Sequence, residues 1–211
     1  ARAPLVAPSL LRVYGMRSAT IFVVMLLSLG ASTFMLREAA TAQVIGGRKG
    51  YAGNYGPAIE AWLDTPGGVT VAPNGDVYIA DTLNYRVRMI DHATGFIHTV
   101  AGTGSPGDGE PVGDDGPATS AYLNMPSDVA IAPNGDLYIA DMHHQRVRRV
   151  DAMTRTITTV AGTGRWGHTG DDGPATAATL AGPAGIAVVP ESAGRVTVFI
   201  ADYYNGHVRA V

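Results

Sequence analysis

The sequence contains no cysteine, and charged residues make up only 16% of its 211 residues. The absence of cysteine excludes disulfides, thiolate metal sites and cysteine nucleophiles. The low charge, against roughly 25% in an average soluble domain, excludes a disordered acidic or basic tail and a coiled coil. Glycine and proline, in contrast, number 27 and 13. The composition therefore predicts many short elements joined by tight turns.

One segment near the N-terminus is continuously uncharged, from residue 18 to residue 36. Basic residues precede it, and the small-x-small sequence Ala40-Thr41-Ala42 follows it. This pattern is typical of a secretory signal peptide, so residues 1–42 are interpreted as a leader plus signal peptide cleaved after Ala42. Because about 20 apolar residues span a bilayer, an uncleaved membrane anchor over residues 18–36 is the alternative. Both interpretations predict an extracytoplasmic location, secreted or periplasmic, for residues 43–211.

The charge of residues 43–211 argues against one class of partner. Residues 1–42 hold four of the 15 basic residues and one of the 18 acidic residues, which leaves 11 basic and 17 acidic groups and a net charge of −6. A surface of this sign repels phosphate backbones, and the sequence has no Lys/Arg cluster to offset the repulsion. Nucleic acid is therefore not an expected partner.

The strongest pattern is an internal repeat. Residues 71–81, VAPNGDVYIAD, recur 60 positions later at 131–141 as IAPNGDLYIAD, and a third, less regular copy reaches Asp202. Apolar residues alternate with polar ones in four short runs of each copy, which predicts β-strands. Asn74-Gly75 and Asn134-Gly135 predict type I′ hairpin turns. Each copy is therefore predicted to be a four-stranded antiparallel meander followed by a long connection.

Such a sheet cannot bury both faces by itself, and radial stacking of successive sheets solves that problem. The predicted fold is therefore all-β, a β-propeller of four-stranded antiparallel blades with about 60 residues per blade. Propellers typically have four to eight blades. Residues 43–211 hold fewer than three, so they are interpreted as a partial propeller, a fragment of a longer one.

Three short motifs carry a resemblance to a known family. They are TVAGTG at 99–104 and 159–164, Gly-Pro-Ala at 56–58, 116–118 and 173–175, and Tyr-Ile-Ala-Asp followed by Arg-Val-Arg. Residues 43–211 resemble the NHL-repeat propellers, in the long-connection form found in exported bacterial proteins and in the teneurin ectodomain. The resemblance implies the fold and says little about the function.

One aspartate recurs at the end of the second strand of every copy, as Asp81, Asp141 and Asp202. A carboxylate that appears once per blade is interpreted as structural, because an aspartate at the start of a turn accepts backbone N–H groups. Arg86 and Arg146 follow five positions later, close enough across the hairpin to pair with it, and His207 takes their place in the third copy. Asp141→Ala is then expected to cost about 1 kcal/mol, the value of one hydrogen bond. A ring of metal ligands or acid/base groups is the alternative.

Acidic loops at 108–115 and 170–173 raise the question of calcium, with Asp171 and Asp172 as weak candidates. Calcium takes six to eight oxygen ligands, but these loops lack the D-x-D-x-D-G spacing, and Asp-Gly is a common turn dipeptide. The sequence therefore favours no cofactor, with calcium or zinc as the alternative.

Because strand direction alternates, the turn after the second strand and the connection after the fourth emerge on one face. The repeats differ most on that face, which gathers aromatic and imidazole groups at Tyr85, His143, His144, Trp166, His168, Tyr203 and Tyr204. Such groups on loops of a rigid scaffold suit recognition of a protein or glycan. The alternative is that Trp166 and Tyr203 pack between blades.

The function predicted from these observations is an exported propeller that acts as a binding or scaffold module. The first alternative is a metal-dependent lyase or lactonase, with zinc bound by histidines such as His143, His144, His168 and His207. The sequence contains no H-E-x-x-H, G-x-S-x-G or phosphate-loop motif, which favours a non-enzymatic role. The second alternative is the extracytoplasmic sensor domain of a membrane-anchored protein.

Overall fold

The computed structural model describes residues 48–107, 109 and 111–211. The predicted signal peptide or anchor, in residues 1–42, lies outside the described residues. Within the described ranges the chain forms β-strands and short 3₁₀ turns. None of the helices in this part of the chain is long and apolar enough to cross a membrane.

The elements follow the predicted order. The strands run over Arg48–Lys49 (β1), Gly56–Pro57 (β2), Trp62–Leu63 (β3), Pro66–Val71 (β4), Val77–Asp81 (β5), Arg86–Ile90 (β6), Phe96–Ala101 (β7), Pro126–Ile131 (β8), Leu137–Asp141 (β9), Arg146–Val150 (β10), Ile157–Ala161 (β11), Pro183–Pro190 (β12), Val196–Asp202 (β13) and His207–Ala210 (β14). The 3₁₀ turns are Ala58–Glu60, Thr82–Asn84, Ala118–Ser120, Met142–His144, Ala175–Ala177, Ser192–Gly194 and Tyr203–Asn205.

The strands form three successive antiparallel sheets, which confirms the predicted meander. The first blade is β4-β5-β6-β7, the second is β8-β9-β10-β11, and the third contains β12-β13-β14. The two short strands β1 and β3 pair in parallel beside them. The architecture is that of a partial β-propeller with blades of four antiparallel strands.

The first hairpin of the first and second blades lies where it was predicted, but its turn is of another type. In the first blade, the Gly75 N–H donates to the Ala72 carbonyl at 2.9 Å and the Ala72 N–H donates to the Asp76 carbonyl at 2.8 Å. Gly75 has φ +94°, whereas Asn74 is not among the residues with positive φ. This is a type I turn followed by a left-handed glycine. The reason is Pro73, whose fixed negative φ suits the second position of a type I turn.

In the first two blades the long connection closes the outer edge of the blade before it returns to the inner strand. In the first blade, β2 adds a fifth strand beside β7. In the second blade, Pro117 forms a β-bridge with Thr156, and the Ala118 N–H donates to the Arg155 carbonyl at 2.9 Å. The repeated Gly-Pro-Ala motif therefore occupies hydrogen-bonding groups that an open edge strand would expose.

The hydrophobic core lies between consecutive blades. Along β9, Ile139 belongs to a cluster with Val87 of the first blade, whereas the adjacent Tyr138 belongs to a cluster with Ile200 of the third. This alternation follows the two-residue period of a strand, because successive side chains point to opposite faces. Each face of the middle sheet is thus buried by a different neighbour, as radial stacking requires.

The recurring aspartate is fully buried in all three blades and accepts several hydrogen bonds. Asp141 accepts the Asn124 N–H at 2.7 Å, Nδ1 of His144 lies 2.9 Å from its Oδ2, and Arg148 donates to that oxygen at 3.3 Å. The same three types of partner surround the other two aspartates. They are the Asp64 N–H, Asn84 and Arg88 at Asp81, and the Ala181 N–H, Asn205 and Arg209 at Asp202.

The prediction that Arg86 and Arg146 pair with these aspartates is wrong. Arg86 lies directly opposite Asp81 in the register, yet its guanidinium turns outward and donates to the Asn84 and Thr103 carbonyls at 3.1 and 2.6 Å. Arg146 likewise donates to the His144 and Thr163 carbonyls. The ion pair belongs to the arginine two residues farther along the same face of the strand.

His207 takes the place of Arg86 and Arg146 in the register, opposite Asp202, as predicted, but the partner of the aspartate is again the arginine two residues later. His207 is exposed, and Nη1 of Arg209 lies 3.8 Å from Oδ2 of Asp202. Arg209 therefore occupies the place that Arg88 and Arg148 occupy in the first and second blades.

Each of these arginines also holds the long connection in place. Arg148 donates to Asp114 at 2.7 Å, and Arg209 donates to Asp171 at the same distance. In the first blade, the equivalent contact joins Arg88 and the side-chain oxygen of Asn54 at 3.4 Å. One buried cation therefore ties together the second strand, the third strand and the connection.

The inner strands of all three blades meet at Asp128. Its carboxylate accepts the Ile186 N–H of the third blade and the Val129 N–H of its own, both at 2.9 Å. A Cβ atom on Gly68 of the first blade would overlap this carboxylate. Burial raises the pKa of Asp128. One aspartate therefore fits between three blades only because its neighbour has no side chain.

We expect Asp141→Ala to destabilise the chain by about 3–5 kcal/mol, since it leaves the buried Arg148 without its closest buried counter-charge. This replaces the sequence-based value of about 1 kcal/mol, which counted a single hydrogen bond. Urea unfolding of the full chain measures the change. Asp141→Asn, which keeps one acceptor, should lose less, and Asp172→Asn in an exposed loop should match wild type. Equal midpoints for Asp141→Ala and Asp172→Asn would contradict this role.

His144→Asn should change stability by less than about 1 kcal/mol, because Asn84 and Asn205 occupy the same position and donate to the same carboxylate. His144→Leu has similar bulk but no donor, and should cost about 1–3 kcal/mol. Thermal unfolding at pH 7 compares the two variants. A larger loss for asparagine than for leucine would show that the hydrogen bond is not what His144 supplies.

Gly68→Ala should cost about 1–3 kcal/mol through overpacking against Asp128. Gly116→Ala is the matched control, because a Cβ there would meet only ordinary contact, 3.6 Å from the Gly113 carbonyl. Combining Gly68→Ala with Asp128→Gly should cost less than the sum of the two single changes, since the clash is removed. Strict additivity in denaturant unfolding would refute the proposed contact.

Candidate functional site

The variable face is built from the turns after the second strands, and each turn has the same backbone. A 3₁₀ turn ends in a left-handed residue in every blade, at Tyr85, Gln145 and Gly206 with φ of 54°, 53° and 67°. The His143 N–H donates to the Asn124 carbonyl of the connection at 3.0 Å. The turns and the connections therefore lie together on one face, as the strand directions predicted.

The sequence-predicted site residues do not all reach the surface. His143 is exposed, and Tyr85 is half-buried as the closing residue of its turn. His144 is buried against Asp141, so its role lies within the fold. His168 is exposed on the third connection.

The remaining three predicted residues form one surface feature, the aromatic platform of Trp166, Tyr203 and Tyr204. The centroids of the Trp166 and Tyr204 rings lie 4.9 Å apart at 39°, and those of Tyr203 and Tyr204 lie 5.0 Å apart at 79°. Their exposed fractions are 60%, 64% and 57%. The rings thus contact one another and remain open to solvent.

The backbone beneath the platform is held by several contacts. Asn205 donates to the Gly167 carbonyl at 2.7 Å, and the Gly167 N–H donates to the Leu180 carbonyl at 3.2 Å. The Tyr204 ring covers Gly182, where a Cβ atom would overlap it. The connection that carries Trp166 and the turn that carries Tyr204 are therefore fixed relative to each other.

A depression of about 290 Å³ lies on the same face of the second blade. His143, His144, Arg146 and Gly164 line it, together with Asn124 and three residues of the second connection. Burial lowers the pKa of Arg146. Gly164 is two residues before Trp166, so the depression and the aromatic platform border the same loop.

The two weak calcium candidates, Asp171 and Asp172, lie in surroundings that do not resemble a calcium site. Asp171 accepts a hydrogen bond from Arg209, and Asp172 is an exposed residue with φ 60°. Asp114 and Asp115 hold the same two positions in the second connection, and Arg148 binds Asp114. Within the described ranges, no group of three or more histidine, aspartate or glutamate side chains could hold a metal ion.

The arginines that bind the buried aspartates were missed in the sequence, although the pattern was available. Arg88, Arg148 and Arg209 are spaced by 60 and 61 positions, the same spacing as Asp81, Asp141 and Asp202. Shared spacing of opposite charges indicates a repeated ion pair. Tyr51, whose ring centroid lies 3.9 Å from Cζ of Arg86, was also missed, and no repeated spacing in the sequence indicated this contact.

Comparison with known proteins finds one matching family and several relatives. The NHL repeat family matches residues 63–88 and 123–150. An Arabidopsis thaliana relative, Protein SUPPRESSOR OF QUENCHING 1, chloroplastic, is 34% identical over 58% of this chain and 12% of its own length. Human Teneurin-4 is 38% identical over 43% of this chain and 4% of its own length. Chicken NHL repeat-containing protein 2 is 36% identical over 47% and 13%. The chain therefore spans only a small part of these relatives.

Solved structures show the same fold. An auxiliary nutrient binding protein from Bacteroides ovatus superposes with a TM-score of 0.52 and 25% identity, over 67% of this chain and 36% of that one. A structural genomics protein of unknown function from Bacteroides thetaiotaomicron gives 0.54 and 20%, over 70% and 36%. Repeat spacing, blade topology and family match agree: the chain contains NHL repeats, carried on the blades of a β-propeller.

Proposed function

We propose that this chain is the binding module of an extracytoplasmic protein, and that it displays the variable face of its propeller to a protein or glycan partner. The observation that carries the proposal is the aromatic platform, three large rings that are more than half exposed on a fixed backbone. Exposed aromatic clusters on a rigid frame are typical of recognition surfaces, since they offer large contact area at low conformational cost.

The repeats separate residues that hold the frame from residues that vary. Asn84, His144 and Asn205 all bind the buried aspartate. The residue just before each of them is not constrained in this way, and it is leucine in the first blade, His143 in the second and Tyr204 in the third. Variation at these positions, next to a residue whose bond to the aspartate is kept, supports a role in recognition.

Two further observations support the proposal. The Bacteroides ovatus neighbour is described as a nutrient binding protein, which supports ligand binding as the class of function. The apolar segment at 18–36 and the small-x-small sequence that follows it support export.

The proposal is tested by probing the full chain with a printed glycan array and a phage-displayed library of random peptides. For the probes that bind, we expect the double variant His143→Ala/Tyr204→Ala to lose at least about tenfold in affinity, since central aromatic contacts contribute 1.4 kcal/mol or more. Met153→Ala is the control, because Met153 is 91% exposed in the turn between β10 and β11, on the opposite face.

Unchanged binding by the double variant would refute the variable face as the binding surface. Binding of no probe from either collection would refute the binding module itself. A loss in both the double variant and Met153→Ala would indicate a general effect on the fold and would likewise count against a localised site.

A further inference from the structure

We infer that the aromatic platform binds a neutral carbohydrate, with the apolar face of a sugar ring stacked on Trp166 and Tyr204. This inference rests on the proposed function and names the class of ligand for the same face. It is carried by the geometry of the platform, by its size, by the charge around it and by its absence from the other two blades.

The geometry favours a ligand that covers an exposed ring face. Tyr204 contacts both of the other rings, with centroid separations of 4.9 Å to Trp166 and 5.0 Å to Tyr203 and interplanar angles of 39° and 79°. A cage for a quaternary ammonium group needs open space between its rings, whereas these rings leave none between them. A pyranose ring presents C–H groups on one face and hydroxyl groups around its rim. Those C–H groups can cover exposed aromatic faces and remove them from water.

The size of the platform fits one or two sugar units. Aromatic side chains offer about 150–250 Å² each, so at exposed fractions near 60% the three rings present roughly 350 Å². A stable protein interface buries about 800 Å² on each partner. The hydroxyl groups of Tyr203 and Tyr204 can both donate and accept hydrogen bonds, which suits the rim of a sugar.

The net negative charge of residues 43–211 favours a neutral ligand over an acidic one. These residues carry a net charge of −6; on the connection that carries Trp166, Asp171 is paired with Arg209, while Asp172 and Arg165 are both exposed. Sulfated and uronic-acid glycans would be repelled, as would phosphate groups. A neutral glycan meets no such penalty.

The third blade differs from the others at three positions that together make the platform. Trp166 lies five residues before Asp171, where the second connection has Gly109 five residues before Asp114. Tyr204 replaces His143. Gly182, with φ 64°, replaces Met125, with φ 51°, at the left-handed position just before the inner strand. A side chain at this position would occupy the place of the Tyr204 ring.

The test uses Trp166 as its own reporter. The chain has two tryptophans, so Trp62→Phe leaves Trp166 as the single indole. The full chain with this change is titrated with cellohexaose, xylohexaose and mannohexaose, whose β-1,4 linkages expose flat apolar faces. At least one should shift Trp166 emission to shorter wavelength in a saturable way. Chondroitin sulfate, which is acidic, should give no shift.

Two variants in this background locate the binding. Tyr204→Ala should weaken the affinity at least about tenfold, through loss of a central aromatic contact. Gly182→Met introduces the residue that the second blade has at the equivalent position, Met125. It should cause a similar loss because the methionine displaces the Tyr204 ring, although neither Trp166 nor Tyr204 is itself replaced. Tyr55→Ala is the control, since Tyr55 is 71% exposed beside His98, away from the platform. Circular dichroism confirms that each variant is folded.

The outcomes separate this inference from the proposed function. Failure of all three hexasaccharides to shift Trp166 emission, with peptides from the library still bound at the variable face, overturns the carbohydrate and leaves the binding module intact. Tighter binding of a trimethyllysine peptide than of any hexasaccharide also overturns it, in favour of a cationic ligand. Equal affinities for Tyr204→Ala and Tyr55→Ala would overturn the location.

Discussion

The buried ion pair between the aspartate that ends each second strand and the arginine of the third strand is the contact on which the rest of each blade depends. Both members at Asp81 and Arg88 are fully buried, and burial raises the pKa of the carboxyl and lowers that of the guanidinium. Desolvation therefore opposes both charges, and the hydrogen bonds to the carboxylate and from the guanidinium must offset that cost. They do so although Nε of Arg88 has no hydrogen-bond partner among the described residues. This requirement extends through the blade, because the donors come from the turn, the third strand and the long connection. A blade with an incomplete connection would leave a buried charge partly unpaired.

Within the short turn after the second strand, the residues that stabilise the fold are different from the residue that is free to vary for recognition. In the first blade, the first residue of the turn, Thr82, packs against the next blade through a 2.8 Å hydrogen bond to the Pro126 carbonyl, and the third, Asn84, binds the aspartate. The side chain of the second residue neither packs against the next blade nor binds the aspartate. Leucine, histidine and tyrosine can therefore occupy that position at little cost to the fold, and the third connection can vary along with it. A scaffold of this kind tolerates new surface chemistry because its energetic constraints lie elsewhere.

The sequence was most informative where the repeat was regular. The spacing of the aspartates and the alternation of apolar residues predicted the strands, their order and the face that carries the variable turns, because these follow from periods of two and 60 residues. The predictions from the sequence were wrong where two local preferences of the same residues conflict. Asn-Gly favours a type I′ turn, but Pro73 imposes a negative φ that selects a type I turn. Register places Arg86 opposite Asp81, yet Arg86 turns outward to loop carbonyls while Arg88 reaches the buried carboxylate. Register alone does not say how far into the sheet a long side chain extends.

The candidate site was predictable by residue type but not by arrangement. Trp166 and Tyr204 are 38 positions apart, and nothing in their local sequence shows that their rings meet. The contact depends on Gly182, a residue with no functional group, which takes a left-handed position that Thr65 and Met125 occupy in the other two repeats. The backbone conformation alone would favour glycine at this position, because φ is near 60°. Its effect is steric, because it leaves room for the tyrosine ring next to the backbone. The platform is therefore a property of three positions acting together, and replacing any one of them with its counterpart from the second repeat should remove it.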